Sequence, residues 1–162
     1  MLELQYSRDV SLLIMSDSYL RYVPNDPAFV PQAEAACEAV RFLGKLASAG
    51  TIETRISETV MFVDAGENWD GVCCPTCGAD ADAWWSTAMD AAWQSQFACL
   101  DVRAQCCGNQ VSLNELRYGW PVAFGKFVLE VRNAGIPRLQ PEQLARLESI
   151  LGCGLKEILA NT

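Results

Sequence analysis

Residues 74–78 read Cys-Pro-Thr-Cys-Gly and residues 106–108 read Cys-Cys-Gly, with 28 residues between Cys77 and Cys106. Two cysteines set two residues apart and followed by glycine let a backbone wrap round a single metal ion. Both sulfurs reach the ion, and the glycine takes the dihedrals of the tight turn. The second cluster repeats the glycine and brings further thiols. Cys74, Cys77, Cys106 and Cys107 therefore form a four-sulfur set, the complement of a closed tetrahedral zinc site. Such a site leaves no open position for water or substrate, so the expected Zn2+ is structural and couples to folding. In the second cluster two neighbouring residues share the work that a two-residue spacer does in the first. Cys107 precedes its glycine as Cys77 does, and Cys106 is the expected fourth ligand, with Cys73 or Cys99 as substitutes.

The chain has eight cysteines, and two other readings compete for them. A disulfide framework belongs to small secreted chains, and no export signal is read at the N-terminus. A redox pair at Cys74 and Cys77 has the right spacing, yet no clear strand precedes it and the second cluster stays unexplained. Zinc accounts for both clusters together. Cys37, on an apolar helical face, and Cys153, near Leu151 and Leu155, are expected to be core thiols.

Composition narrows the rest. Across 162 residues, 51% are hydrophobic and 20% charged, a balance that supports one folded domain over 1–162 and argues against disorder. No apolar run approaches the length of a membrane span, so the chain is expected to be cytoplasmic. Twelve basic against twenty acidic residues give a formal charge of -8, which repels phosphate backbones and disfavours nucleic acid as a partner. There is no histidine, which removes imidazole-based catalysis and every histidine-ligated metal site.

The expected elements mix helices and strands without strict alternation, the signature of an α+β fold with a mixed or antiparallel sheet and packed helices. Val10–Met15 and Tyr19–Val23 read as strands. Pro31 is placed to open a helix whose apolar face carries Ala33, Ala36, Cys37, Val40, Leu43 and Ala47. From Thr51 the period changes to two, and Ile52–Ile56 with Val60–Val63 reads as a hairpin turning near Ser57–Thr59. Asp80 or Asp82 can cap a helix with Trp85, Ala88, Met89, Ala92 and Trp93 on one face. Phe97–Ala104 is expected as a strand into the second cysteine cluster, with a return strand after Gly108. Phe124–Arg132 reads as another strand, Pro141 opens a helix stopped by Gly152, and Leu155–Ala160 is expected as a last short helix.

The residues CPTCG at 74–78 and CCG at 106–108 resemble the two knuckles of a zinc ribbon, here spanning about 72–118. Around them VPNDPAFVP at 23–31, NWDGVCCPTCG at 68–78 and SLNELRYGWPVAFGKF at 112–127 resemble small uncharacterised bacterial zinc-ribbon proteins. Some of those look like immunity partners of secreted toxins, so the resemblance implies a bacterial protein-binding role. A helix between the two knuckles departs from a plain ribbon, which joins them through strands.

Asp64, Glu67, Trp69 and Asp70 lie just before the first cysteine cluster, an acidic loop with an aromatic anchor. Tryptophan is enriched at interface hot spots, and opposite charge speeds encounter, so this face suits a basic protein partner. The bland account is that the acids are solvated or cap turns while Trp85 and Trp93 fill the core. The expected function is thus a noncatalytic, zinc-stabilised protein-binding module. The alternatives are an enzyme using carboxylates and a nucleic-acid-associated zinc ribbon. The sequence does not fix an oligomeric state.

Overall fold

The computed structural model describes residues 16–162, and the expected strand at Val10–Met15 lies outside them. In chain order the elements are β1 (Ser18–Pro24), α1 (Ala33–Leu46), β2 (Thr51–Val63), β3 (Val72–Cys73), α2 (Asp82–Gln94), β4 (Asp101–Arg103), β5 (Gln110–Ser112), β6 (Arg117–Tyr118), β7 (Ala123–Arg132), α3 (Pro141–Leu151) and β8 (Leu155–Asn161). β2, β7, β1 and β8 form an antiparallel sheet in that order, while β3 with β6 and β4 with β5 make two small antiparallel pairs. The expected α+β class with antiparallel sheets is the observed architecture.

β7 is an inner strand of the larger sheet, with Phe127, Leu129 and Val131 making one face apolar while the other mixes Val128 with Lys126, Glu130 and Arg132. Phe127, Leu129 and Val131 meet Leu20 and Tyr22 of β1 and the buried faces of α1 and α3, including Leu43 and Leu147. On the opposite face Val128 packs with Val23, Val63 and Ile158. A second core gathers Val72, Cys74, Trp84, Ala104 and Leu113 around Phe124, so the cysteine-bearing segment rests on the end of β7.

The two parts are also pinned by a polar contact. Buried Asn114 gives its side-chain N–H to the Asn25 carbonyl at 3.2 Å, and its Oδ1 accepts from the Phe124 N–H at 3.3 Å and from Lys156 Nζ at 2.9 Å. Burial pulls the Lys156 ammonium below its ordinary pKa, so this hydrogen bonding is what it has in place of water. Asn114→Leu should cost about 3 kcal/mol, because it strands a buried amide N–H, a carbonyl and a half-desolvated ammonium. Denaturant melts should show it as a lower midpoint at unchanged slope, and a shift too small to measure would show that water satisfies these groups instead.

Several expected elements take a different form. Ile52–Ile56 and Val60–Val63 are not a hairpin but one strand, because β7 is long enough to pair with both; the register shift between Ile56 and Met61 absorbs the residues between. Leu155–Ala160 is strand rather than helix. So short a segment gains little as an isolated helix, whereas as β8 it pairs with β1 from Ser18 to Pro24 and sends Leu155 and Leu159 to one face and Ile158 to the other. Pro31 precedes the first helix instead of opening it; Gln32 is its N-cap. α1 buries Ala36, Ala39 and Leu43, which leaves Cys37 exposed rather than in the core. α2 turns Trp84 and Ala92 inward, Trp85 is half-buried, and Trp93, expected inside, is 69% exposed. The strand expected over Phe97–Ala104 shortens to β4, since Gln96 and Phe97 adopt positive φ and break the extended run.

Candidate metal centre

Two short hairpins carry the four cysteines, and their turns share one hydrogen-bond pattern. In the first, the Cys74 N–H donates to the Ala79 carbonyl at 2.8 Å and the Gly78 N–H to the Cys74 carbonyl at 2.9 Å. In the second, the Ala104 N–H donates to the Asn109 carbonyl at 2.9 Å and the Gly108 N–H to the Ala104 carbonyl at 2.7 Å. Gly78 and Gly108 both have left-handed φ, 74° and 73°, with open space where a side chain would stand. The requirement for glycine is therefore conformational rather than steric.

This correspondence places Cys107 where Cys77 stands, and Ala104 where Cys74 stands. Ala104 is fully buried and has no sulfur to offer. The fourth thiol comes instead from Cys106, at the place that Thr76 holds in the first turn. The outcome is a compact cluster: the Sγ atoms of Cys74, Cys77, Cys106 and Cys107 all lie within 4.8 Å of one another. Cys74 and Cys107 are 3.8 Å apart, and Cys77 and Cys106 are 3.4 Å apart. These separations are far beyond the roughly 2.05 Å of a disulfide. Neither proposed substitute joins the cluster: Cys99 Sγ turns to the Asp101 carbonyl, and Cys73 lies in the β3–β6 pair. The four sulfurs are placed so that they can hold one metal ion.

The surroundings favour thiolate at one corner. The backbone N–H of Cys77, helped by that of Thr76 and by neighbouring thiols, outweighs burial and holds Cys74 down to about 6. Cys106 is pushed up to about 12, first by loss of hydration and then by its contacts with Cys77 and Cys74. One negative charge is thus stabilised in the cluster while a second is resisted. A divalent cation removes that conflict, because the ligands surrender their protons as it binds.

One contributor was not legible as a site residue in the sequence. Asn109 donates from Nδ2 to Cys107 Sγ at 3.3 Å, a hydrogen bond that orients this thiol. Its one sequence signal is that an amide follows the turn glycine. Asp82 accepts the Val72 N–H at 3.1 Å, while Asp80 accepts the Asp82 N–H at 2.7 Å. The two aspartates expected as helix caps thereby fasten the first hairpin to the start of α2, whose N-cap is Ala81.

The acidic loop before the cysteines is exposed, but its members part company. Trp69 is 38% exposed and packs tilted against Trp85 at 4.7 Å and edge-on to Tyr118 at 5.8 Å between ring centres. Asp70 opens on a groove of about 450 Å³ that Asp80 and Asp82 also line, with Arg117 on its wall. Asp64 turns away, its carboxylate 3.9 Å from Arg21, and the Glu67 N–H is tied to the Asn161 carbonyl at 3.1 Å. Among the described residues no helix is long and apolar enough to cross a membrane.

The chain matches no family model, and no curated protein or solved structure is significantly similar to it.

Proposed function

We propose that the four cysteines bind a structural Zn2+ in a zinc-ribbon-like element, and that the chain is a noncatalytic module which docks a basic protein through its acidic, tryptophan-bearing face. The observation that carries the first half is the size of the sulfur cluster. Four thiolates at about 2.3 Å from a tetrahedral zinc lie about 3.8 Å from one another, close to the separations at this site. Four sulfurs fill the tetrahedron and leave no open position for substrate, which favours a folding role over chemistry. An all-sulfur set also favours zinc over magnesium or calcium, which take oxygen ligands.

The second half rests on Trp69. It is partly exposed, yet Trp85 and Tyr118 hold its ring, so little side-chain entropy is lost when a partner covers it. Asp70, Asp80 and Asp82 surround one groove beside it, and the whole chain carries -8. A basic partner gains on encounter from that field. An immunity-type inhibitor that neutralises a basic toxin is one form such a module takes, in keeping with the resemblance of the segments around its cysteine motifs.

The test is kinetic, against a basic protein recovered with the chain from its native cells. Asp70→Lys should slow association about three- to tenfold at low salt and flatten its salt dependence, since steering acts over a Debye length. Trp69→Ala should instead speed dissociation by roughly 30-fold, the loss of a hot-spot anchor. Unchanged rates for both variants, with folding intact, would show that this face is only solvated.

A further inference from the structure

The two edges of the four-stranded sheet are treated differently. β8 is covered: the Asn161 carbonyl accepts from the Glu67 N–H, and the Leu159 carbonyl accepts from Asn68 Nδ2 at 3.0 Å and from Trp120 Nε1 at 2.7 Å. β2, at the other edge, pairs with β7 alone. Among the described residues, nothing pairs with the outer edge of its regular stretch from Thr51 to Ile56. Nor does the stretch carry the proline, bulge or run of one charge sign that blunts an edge against pairing. It holds one charge of each sign, Glu53 and Arg55, and one bare aliphatic side chain, Ile56, which is 62% exposed.

We propose that this edge is an interface with a second copy of the chain, the two β2 strands pairing antiparallel about a two-fold axis at Thr54. The register follows from charge. A two-fold axis perpendicular to the sheet keeps each side chain on its own face, so opposed residues share parity and the axis passes through a residue position. Centred on Glu53, it sets that carboxylate against its copy; centred on Arg55, it opposes two guanidinium groups. Centred on Thr54, it sets Glu53 opposite Arg55 twice, Ile52 opposite Ile56 twice, and threonine opposite threonine. Opposite charges, aliphatic pairs and threonine pairs are each favourable across antiparallel strands, and like charges are not.

The faces agree with this register. Ile56 lies opposite Phe127 of β7, on the side where Ile52 packs against the helix-covered core, yet it stays mostly exposed and outside that core. Ile52 of the second copy gives it the cover it lacks. Arg55 stands on the other face, with Nη2 3.7 Å from the Glu130 carboxylate and its side chain half exposed, so it can also reach Glu53 of the second copy. The two four-stranded sheets become one continuous sheet with its remaining edges closed by the loops beside β8. The irregularity after Ile56 ends the pairing on each side.

The test uses the full chain with its metal. Sedimentation should give twice the chain mass at micromolar concentration. Arg55→Glu alone and Glu53→Arg alone should each raise the dimer dissociation constant at least about tenfold, because each turns two attractive pairs into two repulsive ones. Mixing those two single variants should restore a heterodimer, and the double exchange Glu53→Arg with Arg55→Glu should restore the homodimer. A misfolded variant would show no such rescue. A wild-type monomer, with residues 1–15 or another protein taking the edge, overturns the proposal, as does a dimer indifferent to both single exchanges.

Discussion

Cys74→Ser should unfold the cysteine-bearing part of the chain, and chelation should do the same to the wild-type protein. Structural zinc in zinc-finger peptides contributes about 10–16 kcal/mol near neutral pH, which is as large as the whole stability of an ordinary domain. Cys74 is the corner where this loss is greatest. It is the one thiol of the four that is buried completely, and it packs with Ala81, Trp84 and Ala104 in the second core, so losing an ion there would also strand a polar group. Trp69, Trp84 and Trp85 surround that core, so tryptophan emission should shift to the red as metal is withdrawn. Elemental analysis of the purified wild-type protein should give about one zinc per chain, the ratio that a single four-cysteine site demands. Cys37→Ala is the control: an exposed thiol on α1 should change stability by no more than about 0.5 kcal/mol. Equal losses at Cys74 and Cys37, together with indifference to chelator, would remove the structural metal.

The second large effect is expected at Phe127. Its ring is fully buried in the middle of β7, in the core that β7 forms with β1, α1 and α3. Phe127→Ala should cost about 3–5 kcal/mol, the transfer of the ring to water plus the cavity left behind. For a chain of this size that lowers the melting temperature by roughly 6–20 °C. Trp93→Ala removes a larger ring but one that lies mostly in solvent, with the Phe97 ring edge-on to it, and should cost less than about 1 kcal/mol. Thermal melts of the two variants therefore ask whether burial or aromatic size sets the loss. Similar shifts would show that the core is not organised around β7.

Some of these elements were legible because their determinants are local. β7 announces itself by a β-rich run with Phe127, Leu129 and Val131 on one face and Glu130 and Arg132 on the other, α3 by Pro141 and Gly152 at its ends, and β1 by Tyr19–Val23. The first cysteine turn is legible for the same reason, since the residues that set it are a glycine and two thiols within one five-residue stretch, 74–78. Where the reading failed, the deciding partner was distant. Nothing in Leu155–Ala160 distinguishes a helix from a strand until β1 offers its edge, more than 130 residues away. The turn expected between Ile56 and Val60 dissolves because β7 runs past both halves of β2, and a strand's partner is not written in its own period.

The sequence by itself determined that two glycine-closed turns would bring sulfurs to one place, that no histidine could take part, and that a mixed set of helices and strands would surround them. Only the tertiary structure decided that Cys106, rather than Cys73 or Cys99, is the fourth thiol. The second turn repeats the hydrogen bonds of the first, so its natural first ligand position falls on Ala104, and Cys106 reaches the cluster only because the two hairpins face each other. The same holds for the tryptophans. Helical period places Trp84, Trp85 and Trp93 on α2, but burial belongs to what packs on the helix. Phe124 from β7 and Leu113 beyond β5 gather round Trp84 and leave Trp93 in water. Local dihedral preference is a property of a few neighbouring residues and can be read along the chain, whereas burial and the meeting of ligands are properties of surfaces that exist only once distant segments have packed.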